Sequence, residues 1–301
     1  GAEAVDLVIP AGRRPEHAHP FKGNMDLDRL ETFLDEHGAS VPIVMLTVTN
    51  NTGGGQPVSM ANIRGAKALC EKHDVPLVLD ACRFAENAYF IKQREDGYGD
   101  RSVKRIVREM FSHADGMTMS AKKDALVNIG GWLALDDDAW AREARNQLIL
   151  TEGFPTYGGL AGRDLEAIAV GLQEIVDEDY LEYRMASTRY LGEALTDIGV
   201  PIVKPVGGHA VYIDARRLLP HLDPLDYPKF AENEFGIRAI DYWEGGLPKD
   251  KLNDMAYLEQ IRGNAADAGC DLFLLMTGAV NGAAKDLEGN KNIVEAAKRA
   301  Q

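Results

Sequence analysis

The first two-thirds of the chain alternate short apolar runs with longer stretches of helical spacing. The apolar runs predict strands at residues 43–48, 75–79, 116–120 and 128–135. The stretches between them predict helices at residues 59–73, 86–94, 102–113 and 139–150, the first of them capped by Ser59. Strands that alternate with helices are typical of βαβ units around a mostly parallel sheet. We therefore predict a doubly wound α/β unit in this part of the chain.

Longer helices follow from residue 159 onward. Helical spacing predicts helices at residues 162–177 and 179–197, and Gly199 is placed to end the second one. Beyond it the pattern predicts strands at residues 201–204, 209–214 and 236–240, a helix around residues 229–234, further helices at 251–262 and 292–301, and an apolar run at 272–275. We expect two domains, residues 1–175 and residues 176–301, the second built from a linker helix and a smaller α+β fold.

The composition excludes several classes of partner. The chain has 301 residues, and 33 Lys and Arg against 47 Asp and Glu give a net charge of −14 at pH 7. A field of this sign repels polyanions, so nucleic acid and anionic membrane surfaces are not expected partners. No apolar run approaches the roughly 18–20 residues that a membrane-spanning helix needs, and no signal-peptide pattern opens the chain. We expect a soluble, cytoplasmic chain.

The cysteines and histidines carry little sign of disulfides or metal. Three cysteines are an odd number and none belongs to a CxxC pattern, which is typical of a reducing compartment. His17 and His19 lie two residues apart and are candidate metal ligands. Since no second pair of acidic or cysteine ligands accompanies them, a solvated loop is the favoured interpretation.

Polar residues follow three of the predicted strands directly. Ligands bind at the carboxyl ends of the strands in open α/β sheets, so these residues are the first candidates for chemistry. They are Asn50, Asn51, Asp80, Arg83, Ser120, Lys122 and Lys123. Each has a structural interpretation as well: Asp80 can cap the next segment, the lysines can be solvated, and Asn51 is a common turn residue. Together they supply the amine, carboxylate, hydroxyl and cationic groups that pyridoxal 5'-phosphate requires.

Five blocks of the chain, in the same order, resemble the tryptophanase and tyrosine phenol-lyase family of pyridoxal-phosphate-dependent β-eliminating lyases. They are VTNNTGGGQPVSMAN, LDACRFAENAYFIKQRE, MTMSAKKDALVNIGG, EGFPTYGGLAGRDLEA and GGHAVYIDARRLLPHL. The resemblance extends from about Phe21 to about Ile240. It implies an α/β fold of the PLP-dependent transferase-like type (fold type I), with a mostly parallel sheet in the large domain and a smaller α+β C-terminal domain.

The resemblance implies a role for each residue of the central motifs. Lys123 matches the Schiff-base lysine, which also acts as the general base, and Lys122 matches a neighbour that helps to order the site. Asp80 matches the carboxylate that holds the pyridine nitrogen protonated. Arg83 matches the arginine near the phenolic oxygen of the cofactor. These roles describe a site in which one lysine both carries the cofactor and moves the proton.

Three further positions match residues around the cofactor. Asn51 matches the asparagine that contacts the phenolic oxygen and the substrate side, and Ser120 matches a phosphate ligand. Asn128 matches a position whose backbone carbonyl helps to bind a monovalent cation, so potassium is a possible second cofactor. Cys82, two residues after Asp80, is expected to pack against the ring face.

Two parts of the family pattern are not matched. The family's glycine-containing phosphate loop and stacking aromatic residue belong to a segment earlier than Gly1, so the large domain is expected to be incomplete at its N-terminus. The family's carboxylate-binding arginine follows a segment like the one at 236–240. Here an atypical tail begins at about residue 243, and neither Arg262 nor Arg299 lies in a matching context.

The expected function is β-elimination of an aromatic L-amino acid in a homotetramer or dimer. FAENAYFIKQRE and EGFPTYGG favour tryptophanase, which converts L-tryptophan to indole, pyruvate and ammonia, whereas LVNIGG and GLAGRD favour tyrosine phenol-lyase. Another fold type I lyase or aldolase is an alternative on the same scaffold. The unmatched ends leave a third possibility, a non-catalytic fragment of such a lyase.

Overall fold

The computed structural model describes residues 3–154, 158–243, 247–251 and 254–276. By its internal contacts the chain divides into two compact units, one of Val5–Leu218 and one of Gly1–Ala4 with Leu219–Gln301. The domain boundary expected near residue 175 stays a prediction. In the described residues the long helix that follows this point packs within the first unit, because its Leu181 and Met185 belong to that unit's core.

A four-stranded sheet forms the centre of the first unit. Its strands, in spatial order, are β1 (Val44–Thr47), β2 (Leu77–Asp80), β3 (Gly116–Ser120) and β4 (Gly131–Leu135). The first three are parallel and β4 is antiparallel to β3, so the sheet is mostly parallel as the alternating pattern predicts. Thr47 pairs with Asp80 and Asp80 with Thr118, which aligns the carboxyl ends of the three parallel strands.

Eight α-helices lie in the described residues of the first unit. They are α1 (Leu27–His37), α2 (Met60–Lys72), α3 (Phe84–Arg94), α4 (Val103–Phe111), α5 (Asp138–Thr151), α6 (Gly162–Glu174), α7 (Glu178–Asp197) and α8 (Ala215–Leu218). Ser59 caps α2, since its side chain accepts a hydrogen bond from Asn62 N at 3.1 Å. Gly199, at φ 84°, follows α7 as predicted. The sequence pattern missed α1 and α8 but placed the other six.

Strands β2 and β3 are mostly buried whereas β4 is largely exposed, and α3 has the longest run of buried residues among the helices of the first unit. All side chains from Phe84 to Ile91 are buried, including the polar Glu86 and Asn87. Asn87 is satisfied by Val58, with hydrogen bonds of 2.8 Å from Val58 N and 2.9 Å to Val58 O. A buried polar side chain costs free energy unless it is paired. Asn87 is paired in this way, and the buried Glu86 also requires a partner.

The strands predicted at residues 201–204 and 209–214 are wrong. The described residues there form only an isolated bridge between Ile202 and Ile213. Val203 N donates to Tyr212 O and Asp214 N donates to Pro201 O, both at 2.8 Å, but Pro201 and Pro205 lack the N–H that would extend this pairing into a ladder. Gly208 N instead donates to Gly55 O at 3.1 Å, which brings this segment to the loop after β1.

The second unit contains a small βαβ arrangement. Helix α9 (Tyr227–Phe235) is followed by β5 (Ala239–Trp243), α10 (Met255–Asp267) and β6 (Asp271–Met276), and the two strands pair in parallel. The predicted helix at 251–262 begins later because Asp254 caps it, and the apolar run at 272–275 is strand β6. The helix predicted at 292–301 lies outside the described residues. No helix in the described part of the chain is long and apolar enough to cross a membrane.

Candidate active site

The carboxyl ends of β2 and β3 place Asp80 and Ser120 at one edge of the sheet. Each is the last residue of its strand and is half-buried. Cys82 lies between them: Ser120 N donates to Cys82 Sγ at 3.3 Å. Burial raises the pKa of the Cys82 thiol, its hydrogen bond to the Asp80 side chain raises it further, and the charge of Lys123 opposes both. Ser120 and Asp80 therefore both hydrogen-bond with one thiol, and Lys123 is close enough for its charge to act on it.

The turn after β3 separates its two lysines. Lys122 is exposed, Lys123 is half-buried, and the next residue, Asp124, is fully buried. Lys123 is thus partly shielded from solvent, whereas Lys122 is exposed to it. Asn128 is exposed in the connection from β3 to β4, and its role at a cation stays a prediction.

Asn51 meets two residues of the segment that follows α7. Its Oδ1 accepts a hydrogen bond from the Tyr212 hydroxyl at 2.9 Å and lies 2.9 Å from His209 Nε2. The His209 and Tyr212 side chains also contact each other, with 3.1 Å between Nε2 and Oη. Burial raises the pKa of Tyr212, and the charge of Arg83 opposes the shift, so Arg83 lies close to this group. His209 and Tyr212 are not among the site residues predicted from the sequence, although both belong to the block GGHAVYIDA.

Two buried acidic side chains adjoin these residues: Glu86 lies near His209, and Asp124 directly follows Lys123. Glu86 and Asp124 are both fully buried. Arg184 Nη2 lies 2.5 Å from Glu86 Oε1, and His209 Nδ1 lies 3.6 Å from Glu86 Oε2. Burial and the nearby Glu86 carboxylate raise the pKa of Asp124 to about 7, while the amide of Ala85 and the charge of Arg184 oppose the shift. The sequence contains a signal for Glu86, because it is an acidic residue among the mostly apolar residues at the start of α3.

The structure thus gathers the predicted residues into two neighbouring groups. One consists of Asp80, Ser120 and Lys123 around Cys82, and the other of Asn51 and Arg83 beside Tyr212. Lys122 precedes Lys123 in the sequence but is exposed to solvent.

The pair of N-terminal histidines forms no metal site in the described residues. His19 Nδ1 instead accepts a hydrogen bond from Phe21 N at 3.1 Å. Within the described ranges no group of three or more His, Cys, Asp or Glu side chains could hold a metal ion. A local turn contact therefore occupies His19.

Comparison with known proteins gives a consistent result. The model of the Beta-eliminating lyase family matches residues 1–268, which is beyond Ile240, where the resemblance of the sequence blocks ended. The chain is 76% identical over 275 residues to a tryptophanase from Salinibacter ruber, covering 91% of this chain and 57% of that protein. It is 64% identical over 275 residues to a tryptophanase from Rhodobacter capsulatus, covering 91% of this chain and 60% of that protein.

More distant matches have a second activity in their names. A tyrosine phenol-lyase from Symbiobacterium thermophilum is 51% identical over 247 residues, covering 80% of this chain and 54% of that protein. A solved structure of a putative aromatic amino acid beta-eliminating lyase/threonine aldolase from Exiguobacterium sp. 255-15 aligns with a TM-score of 0.46 at 18% identity, over 65% of this chain and 52% of that one. The chain spans somewhat more than half the length of the curated relatives it matches.

Proposed function

Because the chain belongs to the beta-eliminating lyase family, we propose that it acts as a pyridoxal-phosphate-dependent carbon–carbon lyase on an aromatic L-amino acid. The family assignment made from the sequence blocks and the α/β fold class are confirmed. L-Tryptophan is the favoured substrate, with indole, pyruvate and ammonia as products, because the relatives named tryptophanase reach 76% identity. L-Tyrosine is the second candidate, since tyrosine phenol-lyases reach 55%.

The observation that carries this proposal is the grouping of Asp80, Ser120 and Lys123 around Cys82 at the carboxyl end of the sheet. The family implies pyridoxal phosphate, and the chemistry of these groups fits it. A carboxylate is present for the pyridine nitrogen, an amine for the aldehyde and a hydroxyl for the phosphate. Arg83, near Tyr212, adds a cation for the phenolic oxygen.

Each side chain then has a defined task. The Asp80 carboxylate holds a proton on the pyridine nitrogen, and the Ser120 hydroxyl binds the phosphate. Lys123 Nζ would hold the aldehyde carbon of the cofactor and would act as the base for the α-proton of the substrate. Bound in this way, pyridoxal phosphate supplies an electron sink for the charge that develops at the substrate α-carbon.

Asn51 is oriented by its neighbours. Its Oδ1 already accepts the Tyr212 hydroxyl hydrogen bond and faces His209 Nε2, so its Nδ2 amide remains as a donor toward the phenolic oxygen or the substrate. Tyr212 and His209 thereby determine which end of the Asn51 amide meets the ligand.

The remaining expectations extend this proposal. We propose that residues 1–175 contribute the cofactor-binding domain and residues 176–301 a smaller one, that Lys122 orders the site, and that the backbone carbonyl of Asn128 contributes to a potassium site. The protein is proposed to be a cytoplasmic homotetramer or dimer. The resemblance to tryptophanase and tyrosine phenol-lyase supports these points.

The test is the addition of pyridoxal phosphate to the purified chain, followed by borohydride. We expect an absorbance band near roughly 420 nm that borohydride abolishes, with the reduced pyridoxyl group on the peptide containing Lys123. Lys123→Ala should remove the band, whereas Lys104→Ala, an exposed lysine on α4, should retain it. A label on other lysines or no band would contradict the proposal.

Substrate is tested on the same preparation. L-Tryptophan and L-tyrosine are supplied separately, and pyruvate is measured together with indole or phenol. Faster release from tryptophan is expected. Release of pyruvate only from tyrosine would support the second candidate, and cofactor binding without pyruvate from either substrate would contradict lyase activity of this chain.

A further inference from the structure

Asp124, directly after Lys123, caps a helix to which it does not belong. The first turn of α3 follows Arg83, whose side chain makes no capping hydrogen bond. Asp124 Oδ2 accepts a hydrogen bond from Ala85 N at 2.8 Å, the contact that an N-cap side chain normally makes. The lysine loop, which we define as residues 121–126, therefore supplies the cap of the helix that begins beside Arg83.

The backbone reinforces this connection. Asp124 N donates to Cys82 O at 3.2 Å, so Asp124 holds the segment between β2 and α3 with its main chain and its side chain. Within the loop, Leu126 N donates to Lys123 O at 3.0 Å, and Ala121 N donates to Gly130 O at 2.9 Å. Backbone hydrogen bonds thus fix the loop on both sides of Lys123, and Asp124 makes the bond that joins the loop to the segment before α3.

A second acidic side chain lies close to the capping residue Asp124. Glu86 lies one residue beyond Ala85 and forms an ion pair with Arg184 on α7, whose positive charge also acts on Asp124. Asp124 Oδ1 has no hydrogen-bond partner in the described residues, and Glu86 meets Arg184 as an ion pair rather than in an aligned hydrogen bond. The stability of a cluster with two buried carboxyl groups and one guanidinium depends on the exact positions of these groups, because an uncompensated buried charge is costly.

We propose that Asp124 is a positioning residue that, together with Glu86 and Arg184, fixes the backbone of Lys123 relative to α3 and presents this lysine, and not Lys122, to the cofactor. The selection of Lys123 over Lys122 by the cofactor rests on the proposed function. The fixing of the loop backbone by Asp124 does not depend on it. Lys122 and Lys123 are adjacent and chemically identical, so the selection between them depends on how the loop is held.

The loop is tested in the cofactor-free chain by amide hydrogen exchange. Asp124→Ala removes the acceptor, and protection of the Ala85 amide and of the lysine loop should fall by about tenfold or more. Asp124→Asn retains an acceptor oxygen and should restore protection. Asn87→Ala is the matched control, because it removes two buried hydrogen bonds from the same helix without touching Asp124. Equal loss of loop protection in Asn87→Ala and Asp124→Ala, or no loss in Asp124→Ala, would overturn the proposal.

The selection between the lysines is tested by borohydride trapping and peptide mass spectrometry. In the unmodified chain, Asp124→Asn and Asn87→Ala, the label should be on Lys123. In Asp124→Ala the ratio of Lys123 to Lys122 label should fall at least fivefold. An unchanged ratio overturns the positioning role. Absence of label from the unmodified chain overturns the proposed function instead, and the exchange result then decides the role of Asp124 by itself.

Discussion

Replacing Arg184 by methionine tests the buried charges most directly. Methionine is similar in length but uncharged, so it leaves the carboxyl groups of Glu86 and Asp124 without their cation. Breaking a buried ion pair by removing one partner costs about 3–5 kcal/mol. The Arg184 side chain is 23% exposed while that of Glu86 is 0% exposed, so water can replace part of the lost interaction. We therefore expect a loss of about 3 kcal/mol in the free energy of unfolding at pH 8.

The loss should be smaller in acid. Burial and Glu86 already raise the pKa of Asp124 to about 7, and removal of the Arg184 charge raises it further. A carboxyl group whose folded-state pKa is raised contributes its full stability below its unfolded pKa, near roughly 3.9, and loses it as the pH rises through the folded-state value. At pH 5 Asp124 is largely protonated and needs less compensation. Glu86, Arg184 and His209 are the other charged or titratable groups described at this cluster.

The assay is urea unfolding at pH 5 and pH 8, read as the free energy of unfolding from each transition. Arg189→Met, on the same helix but exposed, controls for the loss of an arginine from α7. The difference between the two variants should be larger at pH 8 than at pH 5. An equal difference at both pH values, or a loss below about 1 kcal/mol at pH 8, would refute the assignment of Arg184 as the compensating cation.

Three further predictions concern the same region. Asp124→Asn should lessen the decline in stability of the unmodified chain between about pH 4 and pH 7, measured as thermal unfolding across that range, since the amide does not ionise; an unchanged decline would contradict this. Gly171→Ala should lower stability by about 1–3 kcal/mol because its Cβ would meet the Ala125 carbonyl oxygen of the lysine loop, whereas Gly162→Ala, with open space, should not; calorimetry compares them. Tyr212→Phe removes the hydroxyl that donates to the site asparagine and should weaken pyridoxal phosphate binding about fivefold in a spectroscopic titration, and unchanged binding would count against that orientation.

Most of the helices and strands are predictable from the sequence because their patterns are local. Strand β3 was placed with its observed bounds, and Gly199 marked the end of α7. The wrong prediction of strands at residues 201–204 and 209–214 has a physical cause. The two segments do pair with each other, through Val203 N to Tyr212 O and Asp214 N to Pro201 O, but the pairing stops at a single bridge because the prolines at 201 and 205 have no N–H to extend it.

The sequence by itself determined the candidate chemistry. Polar residues that directly follow parallel strands must gather at one sheet edge, so Asp80, Ser120 and Lys123 could be grouped without coordinates.

Only the tertiary structure decided which side chains support them. Asn51 and Tyr212 are 161 positions apart, and the Glu86–Arg184 pair joins α3 to α7. Such contacts depend on how helices pack across the fold, and no local sequence pattern shows which residues so far apart in the chain will meet. The same packing buries Asp124 and leaves Lys122 exposed on either side of Lys123, because the turn after β3 faces the capped end of α3 on one side and solvent on the other.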